Sequence, residues 1–216
     1  MASSTRGRRV AAPTDPLNLA HWRRTVAELY AAVRATTELD PVGAATMFRV
    51  ARDRLFREHP DSPIALERRH DWQGARWFDY DPAWRFVGTV EPDPSHVEFE
   101  FNLASDGMLR CERIGHARFT RDGTERSLAL YWLEGYGGGV WLPFLDTTSG
   151  DATYGGGRYL YDTIKGADLG VGAKSIVLDF NFAYNPSCAY NERWSCPLSP
   201  PENRLPFAVN AGERLP

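Results

Sequence analysis

One arginine in a glycine-rich, acidic stretch is the side chain best suited in this sequence to binding an anion. Arg158 follows Gly155-Gly156-Gly157 and is the only cation between Arg126 and Lys165. Its sequence neighbours are acidic, hydroxyl and phenol side chains: Asp146, Thr147, Thr148 and Tyr154. Such a guanidinium can bind a carboxylate or phosphate through two parallel hydrogen bonds. It can equally be locked to Asp146, Asp151 or Asp179 as a structural pair, because a buried arginine needs a partner. The sequence leaves both interpretations open.

The glycine run before Arg158 allows a sharp turn, or the close approach of another group to the backbone. It is not a phosphate loop, because the Lys-Ser/Thr pair is missing and Tyr159-Leu160-Tyr161 predicts a strand instead of a helix start. A tight turn or a bulge is the plainer interpretation.

A second group of polar residues lies at the end of the last predicted strand. In Leu178-Asp179-Phe180-Asn181-Phe182, alternation places Asp179 and Asn181 on one face and the apolar side chains on the other. Tyrosines and asparagines around them indicate an ordered polar environment: Tyr184, Asn185, Tyr190 and Asn191. These residues are either part of a binding site, with Asp179 as a general acid or base, or a hydrogen-bonded network at the end of the sheet.

Cys188 and Cys196 admit three interpretations. Seven residues separate them and no histidine follows His116, so a zinc site is disfavoured and no metal is predicted. A catalytic thiol needs a nearby base, which would have to come from the other half of the sheet: His70, His96 or His116. Two reduced structural thiols are the default prediction.

Two helices are predicted to precede the polar segments. The first begins after Asp15-Pro16 and runs to about residue 37, with apolar side chains on one face: Leu19, Trp22, Val26, Leu29, Tyr30 and Val33. The second has Asp40 as its cap and Pro41 at its first position, and it ends at His59-Pro60. Both apolar stripes are expected to pack on the sheet.

From about residue 75 the hydrophobic period becomes two, which predicts strands. They are Trp77–Tyr80, Trp84–Val90, His96–Leu103, His116–Arg121, Thr124–Trp132, Val140–Leu145, Arg158–Tyr161 and Ser175–Phe180. Asp106-Gly107 marks a turn, and Asp122-Gly123 is the strongest hairpin signal, because a type I′ turn needs positive φ. Short turns without intervening helices favour a mainly β (α+β) fold: an antiparallel β-barrel or sandwich of about eight or nine strands with the helical pair packed on it.

The chain resembles the domain-of-unknown-function 1684 family, which contains uncharacterised proteins of bacteria and archaea. The resemblance rests on these segments: Pro143–Gly150, Thr153–Tyr159, Leu178–Asn181, Ala183–Pro186, Cys188–Tyr190, Trp194 with Cys196-Pro197, and Pro201–Asn203. Arg49–Phe56 with Ser62-Pro63 is similar to the start of the family, so the resemblance covers roughly residues 45–212. It implies no particular reaction, because the family has no established one.

Composition limits the classes of function. A formal net charge of −3 argues against nucleic acid as a partner, since phosphate binding needs a basic face. No stretch reaches the ~18 apolar residues of a membrane span, and Arg8-Arg9 is not followed by the apolar run of a secretory signal. A cytoplasmic location is therefore expected. Residues 1–14 are predicted to be a disordered tail and residues 15–216 a single domain, with a helical segment at 15–60, a β-sheet core at 75–182 and an ordered wrapping loop at 183–216.

Together these features lead to two hypotheses. The first is a small-molecule-binding β-barrel protein with a polar pocket for an anionic ligand, in which Arg158 is an electrostatic clamp and Asp179 a catalytic acid or base. Its ligand-binding residues would be Asp146, Thr148, Tyr154, Arg158, Asn181 and Tyr190. The second is a non-catalytic structural or interaction protein whose polar cluster only orders loops. No dinucleotide fingerprint is present, and the cofactor, the oligomeric state and whether the protein is an enzyme stay open.

Overall fold

A computed structural model describes residues 15–103 and 107–216 of the chain. Two helices come first, and each begins where the sequence predicts. α1 spans Pro16–Thr37 and the Asp15 side chain accepts a hydrogen bond from the Leu17 amide. α2 spans Pro41–Glu58 and the Asp40 side chain accepts one from the Gly43 amide. In both helices an aspartate satisfies an amide at the open end and a proline supplies the first residue.

Within the described residues, six antiparallel strands form one curled sheet in the order β5-β4-β3-β2-β1-β6. Their bounds are β1 Arg85–Leu103, β2 Gly107–Arg121, β3 Thr124–Leu133, β4 Gly139–Phe144, β5 Arg158–Asp162 and β6 Ser175–Asp179. The sheet is a half-barrel rather than a complete barrel or a sandwich, whereas the mainly β class, the antiparallel strands and the two N-terminal helices agree with the prediction. The helices complete the structure on one face.

The predicted number of eight or nine strands was wrong for two reasons. Two predicted strands are continuous in β1, where the pairing with β2 only shifts register between Pro92 and Val97. Trp77–Tyr80 contributes a single bridge, from Trp77 to Glu213, because its backbone meets the C-terminal segment rather than a strand. The Asp106-Gly107 turn includes Asp106, which lies outside the described residues, as does the predicted tail at 1–14.

The hairpin between β2 and β3 has the two-residue connection expected from its sequence. Asp122 and Gly123 both have positive φ, at 50° and 72°, as a type I′ turn requires. The ladder continues on both sides of the turn from Arg121 opposite Thr124. The Asp122-Gly123 prediction is therefore confirmed.

Both faces of the central strand β3 are buried. Leu128 and Leu130 point into the main core, which the helices cover and which includes Tyr30, Phe48, Leu142, Leu160, Leu178 and Phe182. Ala129, Tyr131 and Leu133 point into a smaller core on the opposite face, with Cys111, Trp141 and Tyr159. Neither α1 nor α2, within the part of the chain that the structure describes, combines the length and the hydropathy needed to cross a membrane.

Residues 183–216 contain only short 3-10 turns and isolated bridges among the described elements. Asn203 joins this segment to the sheet, because its side-chain amide hydrogen-bonds the backbone of Ala129 and the carbonyl of Pro143. Leu205 and Leu145 continue the contact through a backbone hydrogen bond of 2.8 Å. The C-terminal segment therefore packs directly on the strands.

Candidate functional site

Arg158 is the first residue of β5 and is almost completely buried, with 1% of its surface exposed. One terminal nitrogen, Nη2, donates to Asp146 Oδ2 at 2.8 Å and to the Val209 carbonyl at 3.0 Å. The other, Nη1, donates to the carbonyls of Ala211 and Glu213. The guanidinium therefore binds an internal carboxylate and three carbonyls of the C-terminal segment.

Both carboxylate oxygens of Asp146 also accept hydrogen bonds from within the chain. Its Oδ1 accepts hydrogen bonds from the Thr148 amide at 2.7 Å and the Thr148 hydroxyl at 2.5 Å. Burial lowers the pKa of Arg158, and the charge of Asp146 opposes that effect. Three cavities formed by residues 15–103 and 107–216 are lined by other residues and not by Arg158 or Asp146. This is the geometry of the structural pair, which the sequence left open beside the ligand clamp.

Asp179, in contrast, lines a cavity. It ends β6 and stands directly opposite Arg85, the first residue of β1, in the antiparallel register. A cavity of about 180 Å³ lies here between α1 and the sheet. Apolar and charged side chains line it together: Val33, Arg34, Thr37, Glu38, Arg85, Leu169, Val177, Asp179 and Phe182. We call this cavity the Asp179 cleft.

Three buried polar atoms around the Asp179 cleft have no hydrogen-bond partner within residues 15–103 and 107–216. They are Asp179 Oδ2, Arg85 Nε and the Tyr80 hydroxyl. Arg85 Nε lies 3.8 Å from Asp179 Oδ2, which is within the range of an ion pair but beyond a hydrogen bond. Arg85 and Asp179 both line the Asp179 cleft. Unsatisfied buried polar groups are costly, so the cleft is a place where a bound molecule would satisfy the unpaired atoms of these two residues.

The ionisation of Asp179 fits such a site. Burial raises its pKa from an ordinary value of 3.8 to about 6, against the opposing hydrogen bonds from Asn181 and the charge of Arg85. Burial also raises the pKa of Tyr80 to about 12, with the negative charge of Asp179 adding to the effect and Arg85 reducing it. Asp179 therefore changes its protonation near neutral pH beside a phenol that stays protonated.

Asn181 holds Asp179 in place. Residues 180–182 form a 3-10 turn, not the continued strand that alternation predicted, because the Asp179 side chain accepts from the Asn181 amide and ends β6. The Asn181 side chain donates to Asp179 Oδ1 at 2.9 Å and to the Asp81 carbonyl at 2.9 Å. Only the second oxygen of Asp179 is left for a ligand.

The remaining predicted site residues lie elsewhere. Thr148 belongs to the Arg158 cluster, where its hydroxyl is also 2.8 Å from that of Thr153. The Tyr190 hydroxyl donates to the buried carboxylate of Glu213. Tyr154 lies beside Cys188, at the edge of a separate cavity. The structure therefore distributes the seven predicted residues over four places rather than one pocket.

Sequence reasoning missed Arg85 and Tyr80. Both come about a hundred residues before Asp179, and only the pairing of β1 with β6 brings Arg85 opposite it. The one available signal was that Arg85 is the second residue of the predicted strand Trp84–Val90 and Asp179 the second-to-last of the predicted strand Ser175–Phe180. No group of three or more histidine, cysteine or carboxylate side chains with metal-binding geometry occurs in the described parts of the chain.

The fold and the cleft define a mainly β protein whose curled half-barrel sheet is covered by two N-terminal helices. Residues 70–214 match the family described as "Protein of unknown function (DUF1684)", and the chain belongs to this family. The match begins later than the residue 45 expected from the sequence resemblance.

A solved structure of similar sequence and fold also belongs to an uncharacterised protein. It is the solution NMR structure of an uncharacterised protein from gene locus rrnAC0354 of Haloarcula marismortui. The identity is 37% and the TM-score 0.55, and the alignment covers 77% of this chain and 89% of that one. No curated protein matches the chain.

Proposed function

We propose that the protein binds a small carboxylate in the Asp179 cleft. The observation that carries the proposal is a pair of atoms without hydrogen-bond partners, Asp179 Oδ2 and Arg85 Nε. The two atoms lie 3.8 Å from each other, and both residues line the same cavity. A carboxylate there would accept one hydrogen bond from Arg85 and one from protonated Asp179. The apolar wall of Val33, Leu169 and Phe182 would contact the organic part of the ligand.

The proposal keeps an anionic ligand and the role of Asp179, and it transfers the cationic contact from Arg158 to Arg85. Arg85 has 24% of its side chain exposed and already binds Glu38 at 2.5 Å through Nη2, which leaves Nε directed at Asp179. Since burial holds the pKa of Asp179 near 6, the same carboxyl can donate a proton below that pH and accept one above it. This is the property of a general acid or base, so proton transfer to or from the bound molecule is the reaction step that the site supports.

Thermal melts and calorimetric titration with acetate, propionate and benzoate at pH 5 and pH 8 test the proposal. Binding is expected to be stronger at pH 5, because only protonated Asp179 donates a hydrogen bond to the ligand and the charge repulsion is then absent. Arg85→Met should abolish the stabilisation. Arg118→Met, which removes an exposed arginine of β2 bound to Glu91 and Glu125, is the matched control.

Asp179→Asn separates this mechanism from non-specific anion binding. An asparagine amide donates at every pH, so the variant should bind the carboxylates equally well at pH 5 and pH 8. If no carboxylate raises the melting temperature of the wild type, or if Arg85→Met and Arg118→Met behave alike, the proposal fails.

The second candidate function is structural, and the Arg158 cluster favours it. A guanidinium that binds Asp146 and three carbonyls orders the C-terminal segment without any ligand. This role concerns a different part of the molecule from the Asp179 cleft, so the two candidates are tested by different variants.

A further inference from the structure

A second and larger cavity contains two cysteines that the Asp179 cleft does not use. It measures about 490 Å³ and lies between the end of β1 and residues 188–198. Phe101, Leu103, Trp194 and Leu198 form its apolar walls, and Tyr154, Cys188 and Cys196 add polar atoms. We call it the dithiol cavity.

The two cysteine side chains lie in contact at its surface. The Cys188 amide donates to Cys196 Sγ at 3.4 Å, which places the two side chains next to each other. Cys188 is in a 3-10 turn, Ser187–Ala189, and Cys196 precedes Pro197, so two rigid pieces of chain bring the sulfur atoms together. Both residues are partly exposed, whereas Cys111 is completely buried in the sheet.

Tyr154 lies beside these two cysteines and packs against Gly156, in the glycine run that precedes Arg158. Its hydroxyl lies 3.6 Å from Cys188 Sγ. A Cβ at Gly156 would come within 2.5 Å of the Tyr154 ring and 2.9 Å of Leu198, so only glycine leaves room for the ring at this position. Gly156 therefore leaves space for the Tyr154 ring beside Cys188.

We propose that Cys188 and Cys196 form a reactive dithiol that reduces small organic disulfides bound in the dithiol cavity. Cys188 is the attacking thiolate, and Cys196 resolves the mixed disulfide. Buried Trp194 Nε1 has no hydrogen-bond partner in the described parts of the chain, so the indole can donate to a polar group of the bound disulfide.

The reaction balances as two exchange steps. Cys188 Sγ attacks one sulfur of the disulfide RSSR, the S–S bond breaks, and the first RS⁻ leaves and takes a proton from water. Cys196 then loses its proton to water and attacks Cys188 Sγ, which expels the second RS⁻. The protein ends with a Cys188–Cys196 disulfide, and its two electrons have reduced RSSR to two RSH.

The electrostatics assign the two roles in this order. The hydrogen bond from Cys196 lowers the pKa of Cys188 to about 6, with a further contribution from Tyr154 and against the effect of burial. The same hydrogen bond raises the pKa of Cys196, and burial adds to it. Once Cys188 is capped as a mixed disulfide it is no longer an anion, so the main cause that holds the proton on Cys196 disappears.

Thiol mapping with 2-hydroxyethyl disulfide and with oxidised glutathione tests the proposal on the full chain. The reduced protein is incubated with either reagent, quenched in acid, alkylated in denaturant and mapped by mass spectrometry. The wild type should form a Cys188–Cys196 disulfide, whereas Cys111 should remain a free thiol and therefore be alkylated. Cys196→Ser should accumulate the mixed disulfide on Cys188, and Cys188→Ser should leave Cys196 unmodified.

The pH profile of alkylation distinguishes a reactive pair from two structural thiols. In native wild type, iodoacetamide should modify Cys188 with a midpoint at about pH 6, and both Tyr154→Phe and Cys196→Ala, each of which removes a donor, should move that midpoint upward. Thermal melts verify that each variant is folded. A Cys188 midpoint near the ~8.5 of an ordinary thiol, or mixed disulfides on both cysteines of the wild type without an internal disulfide, would overturn the proposal. So would a Cys188 that reacts only in denaturant.

Discussion

Asp179 and Arg158 are both about 1% exposed, yet their surroundings give them different properties. The two terminal nitrogens of Arg158, Nη1 and Nη2, both have hydrogen-bond partners. These are the Asp146 carboxylate and the carbonyls of residues 209, 211 and 213. Asp179 has one oxygen that accepts hydrogen bonds and one that has no hydrogen-bond partner within the described ranges, although Arg85 Nε lies 3.8 Å from it. The ion pair and the hydrogen bonds of its two terminal nitrogens offset the cost of burying Arg158, whereas Asp179 keeps one oxygen that is free to accept from a ligand.

The first prediction is that Asp179→Asn stabilises the protein at high pH. The folded-state pKa of about 6 lies above the ordinary 3.8, so the folded protein holds an extra proton between these values and its stability falls as the pH rises through 6. Asparagine does not titrate. Relative to the wild type, the free energy of unfolding of the variant should rise by up to about 3 kcal/mol between pH 4 and pH 8.

Urea denaturation across this pH range measures the effect. Asp122→Asn changes the same chemical group in a hairpin turn where the side chain is 85% exposed, and it controls for the loss of one charge. A difference between Asp179→Asn and the wild type that does not change with pH would contradict the prediction.

The second prediction concerns the Arg158 cluster. Arg158→Met leaves Asp146 buried without its cationic partner, so the free energy of unfolding should fall by roughly 3–5 kcal/mol. Arg118→Met breaks only exposed ion pairs, and about 1 kcal/mol or less is expected. Equal losses in the two variants, measured by urea denaturation, would show that the Arg158 pair contributes no more than a surface contact.

The sequence predicted part of the site at the residue scale. Alternation at the end of a predicted strand places Asp179 and Asn181 on one face, and the two residues do lie together. Arg85 was not recognised, because the register of β1 with β6 that brings it opposite Asp179 depends on pairing between residues about ninety positions apart. The choice between clamp and structural pair for Arg158 was likewise undecided, since its carbonyl partners lie more than fifty residues downstream.

At the scale of elements, short sequence motifs were sufficient to predict the features that depend on a few adjacent residues. The aspartate-proline pairs placed both helix starts correctly, and Asp122-Gly123 placed the hairpin, because caps and tight turns depend on a few adjacent residues. The length of β1 could not be predicted in the same way. Its continuity through Pro92 depends on the partner strand β2, which shifts register there instead of ending.

The third prediction tests the β2–β3 turn. Gly123 has a φ of 72°, and a Cβ there would meet no atom within 4 Å. Gly123→Ala would therefore cause no steric clash, and backbone strain alone should lower the free energy of unfolding by about 1 kcal/mol. Gly155→Ala is the matched control, because its Cβ would make only ordinary contacts at 3.6 Å or more and its φ lies outside the left-handed region. Chemical denaturation of both variants should separate them; equal stabilities would mean that the turn tolerates a side chain at positive φ.

At the scale of the whole molecule, the C-terminal segment is part of the core. Arg158 binds its backbone at residues 209, 211 and 213, and Arg52 binds the buried Glu213 carboxylate at 3.0 Å. Val209 and Ala211 are completely buried. The sheet therefore depends on a segment that has no strand of its own among the described residues.

The fourth prediction compares the two ends of the chain. Deleting residues 205–216 removes every C-terminal partner of Arg158, so the truncated protein should lose its cooperative thermal unfolding transition. Deleting residues 1–14 should change the free energy of unfolding by less than ~0.5 kcal/mol, because their composition offers little apolar surface to bury. Calorimetry on both truncations decides; a cooperative transition in the first, or a clear drop in melting temperature in the second, would contradict the expectation.

The Arg158 cluster also has a consequence for the order of events during synthesis. Its carbonyl partners follow it by 51 to 55 residues. A ribosome adds roughly 5–20 residues per second, so about 3–11 s separate the appearance of the arginine from that of its partners. Until then only Asp146 is present as a partner, and the guanidinium lacks its three carbonyl acceptors. The half-barrel therefore reaches its final packing only after residue 213 has been made, and an unfinished sheet with uncovered apolar faces favours aggregation of the newly made chain.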